Sequence, residues 1–141
     1  MYELRVVRER RVGYGRGRCL RKSGEVYAAF RSRFEVADRE EFLAVSLDGK
    51  NRSLGFNVVS VGSLTASLVH PREVYKAAIL ANAAALLVVH NHPSGDPTPS
   101  TEDMAITARL KHAGEILGIN LLDHVVIGDG RYVSFADDGL L

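Results

Sequence analysis

The residues best suited to chemistry lie in one short run, His90 to Asp103, which reads HNHPSGDPTPSTED. In a β-strand, residues two apart point to the same side, so His90 and His92 can present both imidazoles to one point. Two histidines, a carboxylate and an open position are typical of a catalytic rather than a structural zinc site. The first half of the run therefore predicts two metal ligands, and the third must return from elsewhere.

Asp103 is the natural third ligand, because the proline-rich loop reverses the chain before it. With Ser100 as the helix N-cap, Asp103 falls in the first helical turn, at the margin of the buried face for about 100° of rotation per residue. Ser-x-x-Asp is also the pattern of a capping box, which would explain these two residues without a metal. That simpler interpretation leaves the paired histidines unexplained, so the spacing favours a metal site of His90, His92 and Asp103.

The elements around this run must hold it in place. Residues 85–90, ALLVVH, are predicted to form a fully buried strand that ends on the first histidine. A helix is expected to start at Pro71 and to end near Asn82, and another to run from Ser100 to about Leu117.

The other predicted elements follow apolar or alternating runs bounded by turn residues. They are an edge strand over 2–12, a helix capped by Ser23, strands over 41–48, 54–61 and 64–69, a strand over 121–128, and a hairpin turn at 129–130. Strands interleaved with helices indicate an α/β or α+β layered domain.

Bulk composition suits one globular domain, with 141 residues, 46% hydrophobic and 25% charged. The one cysteine, Cys19, excludes an internal disulfide and suits a reducing compartment. No apolar leader opens the chain, and the most apolar stretch, residues 77–89, is shorter than the roughly 20 residues that span a bilayer. We therefore expect a cytoplasmic protein with no membrane partner.

Charge is distributed unevenly along the chain. Residues 1–33 carry ten Lys/Arg against three Asp/Glu, a net +7, and residues 34–141 carry eight against fourteen, a net −6. A basic segment of this kind can contact nucleic acid phosphates, although no interleaved aromatic residues support base stacking. Nucleic acid is therefore retained as an alternative partner.

The run HNHPSGDPTPSTED resembles the JAMM (MPN-plus) metalloprotease motif, His-x-His-x7-Ser-x2-Asp, at each defining position. Its flanks, LVHPREVYKAAILANAAALLVVHNHPSGDPTPS and GINLLDHVVIGDGRYVSF, are similar to bacterial RadC proteins. The resemblance covers about residues 36–141. It implies a cytidine-deaminase-like mixed sheet flanked by helices, and a zinc ion bound by His90, His92 and Asp103. Longer RadC proteins carry a helix-hairpin-helix region first, for which residues 1–35 are too short. We therefore expect a stand-alone domain, 36–141, behind a basic segment and short helix, 1–35.

The family pattern also requires a glutamate at the start of a distant apolar strand. EEFLAVSL resembles that element and points to Glu41, with Glu40 as the competing residue because a one-position register error would exchange them. Glu73 and Glu102 are more simply explained as charges at helix N-termini.

The resemblance implies a peptidase or isopeptidase acting on a peptide or protein substrate. Zinc lowers the pKa of a bound water toward about 7, Glu41 accepts its proton, and Ser100 donates a hydrogen bond to the tetrahedral oxyanion. The alternative is a DNA-associated accessory protein whose metal site is structural or vestigial. A nucleobase deaminase is discounted because the sequence has neither the His-x-Glu nor the Pro-Cys-x-x-Cys part of the deaminase signature.

Three further histidines lie outside the motif. His124, in DHVVIG, is compatible with a cleft-lining role, with donation to a ligand carboxylate, or with a structural role, which the sequence favours. His112 is expected to face solvent by helical periodicity, and His70 to mark a helix start.

Overall fold

The computed structural model describes residues 1–5, 17–62 and 69–141. Within these ranges the helices are α1 (Ser23–Glu35), α2 (Pro71–Leu80) and α3 (Thr101–Leu117). The strands are β1 (Glu41–Leu47), β2 (Ser53–Val61), β3 (Ala85–Asn91), β4 (Asn120–Ile127) and β5 (Tyr132–Ser134). The strands expected over 2–12 and 64–69 lie mostly outside the described residues. Among the helices of the described ranges, none combines the length and apolar character needed to cross a membrane.

The strands form one mixed sheet in the order β2-β1-β3-β4-β5. β1 runs antiparallel to both β2 and β3, β3 and β4 are parallel, and β5 returns antiparallel to β4. The parallel pair is joined through α3, as a parallel connection requires a crossover element. The expected layered domain, a mixed sheet flanked by helices, is confirmed.

Each face of the sheet carries its own hydrophobic cluster. The α1 face combines the buried side of that helix with alternate strand residues, among them Phe30, Phe34, Leu43, Val45 and Val89. The α2/α3 face takes the intervening residues, including Phe42, Ala44, Val88, Ile106 and Leu110. Because β1 and β3 are buried on both faces, they are apolar runs without alternation.

Helix ends follow local chemistry. α2 begins after His70, whose Nδ1 accepts the Arg72 backbone N–H at 3.2 Å, so this histidine caps a helix as its position suggested. α1 begins one residue earlier than a Ser23 cap requires. The Glu25 carboxylate accepts the backbone N–H groups of Arg21 and Lys22 instead, at 2.7 and 3.1 Å.

Helical periodicity of the apolar residues predicts that α3 buries Ile106, Leu110, Ala113 and Leu117, and the structure differs from this toward the end of the helix. Leu117 is 46% exposed, and Gly114 is buried in its place. A Cβ at Gly114 would lie 2.5 Å from both the Ile119 carbonyl oxygen and the Tyr75 hydroxyl. The helix therefore approaches its neighbours through a glycine, which hydrophobic periodicity does not register.

Candidate metal centre

The candidate centre lies where β1 begins, β3 ends and α3 begins. Phe42 pairs with His90 in the antiparallel β1–β3 ladder, so two residues further along Glu40 comes level with His92. The loop over 93–99 then turns the chain back to the first turn of α3. This topology brings residues some fifty positions apart to one edge of the sheet.

Four donor atoms converge at this edge. The two Nε2 atoms of His90 and His92 lie 2.9 Å apart, and each is 3.2 Å from one oxygen of the Asp103 carboxylate. Ligand atoms at zinc–ligand distances of about 2.0–2.1 Å in a tetrahedron are separated by about 3.3 Å. The spacing and the nitrogen and oxygen chemistry of the donors therefore fit one small divalent ion.

The carboxylate beside the two imidazoles belongs to Glu40. Its Oε1 is 3.8 Å from both Nε2 atoms, and Glu40, His90 and His92 form a group whose ligand atoms all lie within 4.8 Å of one another. The Glu41 carboxylate accepts a hydrogen bond from Arg33 Nε at 2.8 Å. Glu41, the residue predicted as the base, thus lies in an ion pair, whereas its neighbour Glu40 lies at the candidate centre.

Strand geometry explains this exchange. Successive side chains of β1 alternate between faces, so Glu41 shares the α1 face with Leu43 while Glu40 shares the other with Phe42. The buried Asn91 holds the chain on both sides of Glu40. Its Oδ1 accepts the Glu41 N–H at 2.7 Å, and its Nδ2 donates to the Arg39 carbonyl at 2.9 Å.

Ser100 and Asp103 form the anticipated capping box. The Ser100 Oγ accepts the Asp103 backbone N–H at 3.1 Å, and the Ser100 N–H donates to Asp103 Oδ2 at 2.7 Å. The same carboxylate faces both imidazoles, so helix capping and a place at the centre occur together. Ser100 is an exposed residue, and its hydroxyl keeps its own proton for donation.

Both histidines of the motif are fixed through Nδ1. His92 Nδ1 lies 2.8 Å from the Asp96 carbonyl oxygen, and His90 Nδ1 lies 2.7 Å from His124 Nε2. A carbonyl only accepts, so His92 carries its proton on Nδ1 and turns a free Nε2 toward the centre. His124 is completely buried, so it lines no cleft, and its ring contacts a histidine of the motif rather than a carboxylate.

Electrostatics favour an ionised carboxylate at the centre. Burial alone would raise the pKa of Asp103, but the adjacent imidazoles of His90 and His92 outweigh it and hold that pKa well below its usual range. The adjacent Asp103 carboxylate in turn raises the pKa of His92 against the effect of burial. Burial lowers the pKa of His124 well below its usual value, so this ring is neutral.

The loop after His92 is fastened to the end of β4. His92 N–H donates to the Ile127 carbonyl at 2.9 Å, and Asp129 N–H donates to the Gly95 carbonyl at 2.8 Å. A Cβ at Gly128 would lie 2.3 Å from the Gly95 oxygen, so only glycine permits this contact. The loop therefore has a fixed path, which sets the distance between the strand ligands and α3.

A cavity of about 320 Å³ lies elsewhere, on the α1 face, and its lining includes Arg21, Lys22, Asp123 and Asp137. It includes none of the residues of the candidate centre. His112, the remaining histidine, is exposed at 76% of its side chain, as periodicity predicts.

A family model described as the RadC-like JAB domain matches residues 20–140. The chain belongs to the RadC family. The match includes α1 and every residue of the candidate centre. The domain boundary expected between residues 35 and 36 stays a prediction. In this RadC domain, α1 packs into the same hydrophobic cluster as residues of the strands.

The curated relatives carry the name UPF0758 protein. This RadC domain is 52% identical to one of Methanosarcina acetivorans and 56% identical to one of Pelobacter propionicus, each over 117 residues, or 83% of this chain and 51% of the relative. One of Desulfitobacterium hafniense is 59% identical over 104 residues, 74% of this chain and 46% of the relative. The chain spans about half the length of the curated relatives it matches.

Sequence reasoning missed three contributors to the centre: Asn91, Thr107, whose Oγ1 lies 2.6 Å from His124 Nδ1, and His124 in its contact with His90. Asn91 lies between the two motif histidines, but its side chain is on the opposite face of the strand. Its hydrogen bonds beside β1 therefore could not be predicted from the motif. Thr107 is four residues after Asp103 on α3, so helical spacing could have placed it on the same face. The nucleic-acid alternative rests on the basic first 33 residues, of which 6–16 lie outside the described part of the chain.

Proposed function

We propose that this RadC domain is a zinc-dependent amide hydrolase, a peptidase or isopeptidase, with His90, His92 and Asp103 as metal ligands. A RadC-like JAB domain with a potential metal-binding group fits a metallohydrolase at the coarser level. The observation that carries the finer proposal is the convergence of both Nε2 atoms and the two oxygens of one ionised aspartate at 2.9–3.2 Å, with a glutamate beside them.

The donor set suits zinc, which takes imidazole nitrogen and carboxylate oxygen in one site. Three protein ligands leave a fourth position, as catalytic zinc sites require. When bound, zinc supplies a water whose pKa falls to about 7 and a Lewis acid that polarises the scissile carbonyl.

We assign the general base to Glu40 in place of Glu41. Its side chain is 26% exposed and lies 3.8 Å from both imidazole Nε2 atoms, so it can accept a proton from a water at the centre. The same carboxyl group can later return that proton to the leaving amine. Glu41 is unsuited to this role because Arg33 engages its carboxylate on the other face of the sheet.

Ser100 is proposed as the donor to the tetrahedral oxyanion. Its Oγ already accepts the Asp103 N–H, which fixes the oxygen and leaves the hydroxyl proton to donate. Its exposed position at the start of α3 is open to a substrate. Preorganised donors of this kind stabilise the negative charge that develops during attack on an amide.

Paired glutamine variants test the proposal. Zinc content is measured by elemental analysis, and hydrolysis by amine release from a panel of fluorogenic peptide and ε-linked isopeptide amides. Wild type should hold about one zinc per chain. Glu40→Gln should keep the zinc while losing about 10²–10⁴-fold in rate, because it removes a general base. Glu41→Gln, the matched control, should keep both.

The outcomes separate the parts of the proposal. Wild-type protein without zinc after zinc loading would contradict the metal centre itself. Zinc without amine release from any member of the panel would contradict amide hydrolysis. Full activity in Glu40→Gln, or inactivity in Glu41→Gln, would return the base to the residue that the family pattern first indicated.

A further inference from the structure

One buried imidazole has no part in the proposed hydrolysis. The His124 ring is completely buried, with the Phe135 ring stacked 4.6 Å away and the Phe42 ring edge-on at 5.5 Å, measured between centroids. A histidine surrounded by aromatic rings must satisfy both ring nitrogens internally, because an unpaired buried donor or acceptor costs about 1–3 kcal/mol. Both nitrogens have partners, and these connect the ring to the metal centre.

The first partner is Thr107 on α3. Its Oγ1 lies 2.6 Å from the Asp103 backbone oxygen and 2.6 Å from His124 Nδ1. A carbonyl only accepts, so the single hydroxyl proton goes to the Asp103 oxygen. The hydroxyl oxygen must then accept from His124, which places the proton of that neutral ring on Nδ1.

The second partner is His90 on β3. With its proton on Nδ1, His124 presents a lone pair at Nε2, which lies 2.7 Å from His90 Nδ1. His90 must therefore donate from Nδ1. Its Nε2 is left as the atom that faces His92 and Asp103, and a ligand histidine needs that nitrogen free of a proton.

We propose that Thr107 and His124 form a hydrogen-bond relay that fixes the orientation and tautomer of His90, so that its Nε2 is aimed at the metal position. This inference rests on the proposed function for the identity of the ion, though not for the proton positions. The relay begins at the backbone of Asp103 and ends at His90, so it ties a ligand of α3 to a ligand of β3 through β4. Its outer partner is an imidazole, where a carboxylate, backbone carbonyl or water is usual.

Metal affinity tests the relay. Zinc affinity is measured by competition with a chromogenic chelator at one pH, on variants whose thermal unfolding shows them to be folded. His124→Phe keeps an aromatic ring but leaves His90 Nδ1–H without an acceptor. It should weaken zinc binding about 10–100-fold, the range for partners of a ligand histidine. His124→Gln restores an acceptor and should recover much of the loss.

A second pair of variants tests the other end of the relay. Thr107→Val removes the hydroxyl at nearly constant shape and should weaken zinc binding in the same direction, whereas Thr107→Ser should restore it. If the role of Thr107 were purely structural, the zinc affinity of the variants would follow side-chain volume rather than the presence of the hydroxyl. Zinc affinity equal to wild type in both His124→Phe and Thr107→Val would overturn the proposal.

Proton positions give a readout that needs no metal. Long-range ¹H–¹⁵N correlation spectra of the metal-free protein distinguish the two neutral tautomers of an imidazole. His124 is expected as the Nδ1–H form, and finding the Nε2–H form would overturn the relay. A wild-type protein that binds no zinc would contradict the proposed function, while the His124 tautomer would still decide whether the relay exists.

Discussion

The two faces of the central sheet end differently at the same edge. On the α1 face, the carboxylate of Glu41 meets the guanidinium of Arg33, with both side chains about one-fifth exposed. On the α2/α3 face, Glu40 and Asp103 meet the imidazoles of His90 and His92. On the α1 face, the fixed positive charge of Arg33 neutralises the acid. On the α2/α3 face, the acids lie beside imidazoles that can coordinate a metal cation.

Consecutive residues of one strand supply both arrangements. Glu40 and Glu41 differ by one position, and strand alternation sends one to each face. An arginine has five donors and no acceptor, so the group that faces the Glu41 carboxylate offers no coordinating atom to a metal ion. The candidate centre therefore depends on the sheet face that a residue occupies as much as on residue type, and three experiments test that dependence.

The largest expected difference is between two buried aspartates on opposite faces. Asp103→Asn should remove the measurable zinc, because it replaces an ionised proposed ligand, and this effect exceeds the roughly 10–100-fold expected for residues that only orient a ligand. The matched control is Asp123→Asn on the α1 face. The Asp123 carboxylate accepts from His124 N–H, Ser134 Oγ and Ala136 N–H at 2.6–2.9 Å. This control should lose stability but keep zinc, as equilibrium dialysis with elemental analysis would measure. Equal zinc loss in both variants would erase the distinction between the faces.

A smaller effect is expected from the hydrophobic clusters beneath each face. Phe30 is fully buried on the α1 face, and Phe30→Ala should lower the free energy of unfolding by about 3–5 kcal/mol. Zinc affinity of the folded protein should not change, because the His90, His92 and Asp103 side chains all lie on the other face. Ile106→Ala, one turn after Asp103 on the other face, should lower both quantities. Urea unfolding and chelator competition measure them, and a change in zinc affinity in Phe30→Ala would mean that the faces are coupled.

The smallest expected effect comes from the residue that links the faces. Asn91→Ala removes the two hydrogen bonds that hold the chain on either side of Glu40. The loss should be about 1–3 kcal/mol of stability, since it leaves the Glu41 N–H and the Arg39 carbonyl unpaired. Hydrolysis should slow while zinc content stays constant, because the base loses its position and the ligands keep theirs. A fall in zinc content with an unchanged rate per bound zinc would mean that Asn91 positions the ligands rather than the base.

Much of the fold could be predicted from the sequence. The apolar run ending at His90, the proline-rich loop and the cap at Ser100 are local signals, and the structure forms each of them. The choice between Glu40 and Glu41 could not be made in the same way. β1 is apolar on both faces, so no alternation marks which glutamate shares a face with His90, and only the pairing of Phe42 with His90 decides it.

The relay was hidden for a related reason. His124 and Thr107 belong to separate elements, and their contact depends on the parallel register of β3 and β4, in which Val88 pairs with His124. Sequence spacing carries no information about that register. Local patterns thus pointed to the proposed ligands, whereas the residues proposed to orient them could be found only from the strand order.

The strand order also gives the centre a direction of assembly. During synthesis the segment with the proposed base appears first, the ligand run follows, and His124 comes last, in a strand that pairs beside β3. A nascent chain that stops before β4 would already contain all three ligands, yet His90 would lack its hydrogen-bond acceptor. β3 would also present an unpaired apolar edge, which favours aggregation. A strand that emerges from the ribosome after the three proposed ligands, β4, would therefore both orient one of those ligands and protect the chain that carries it.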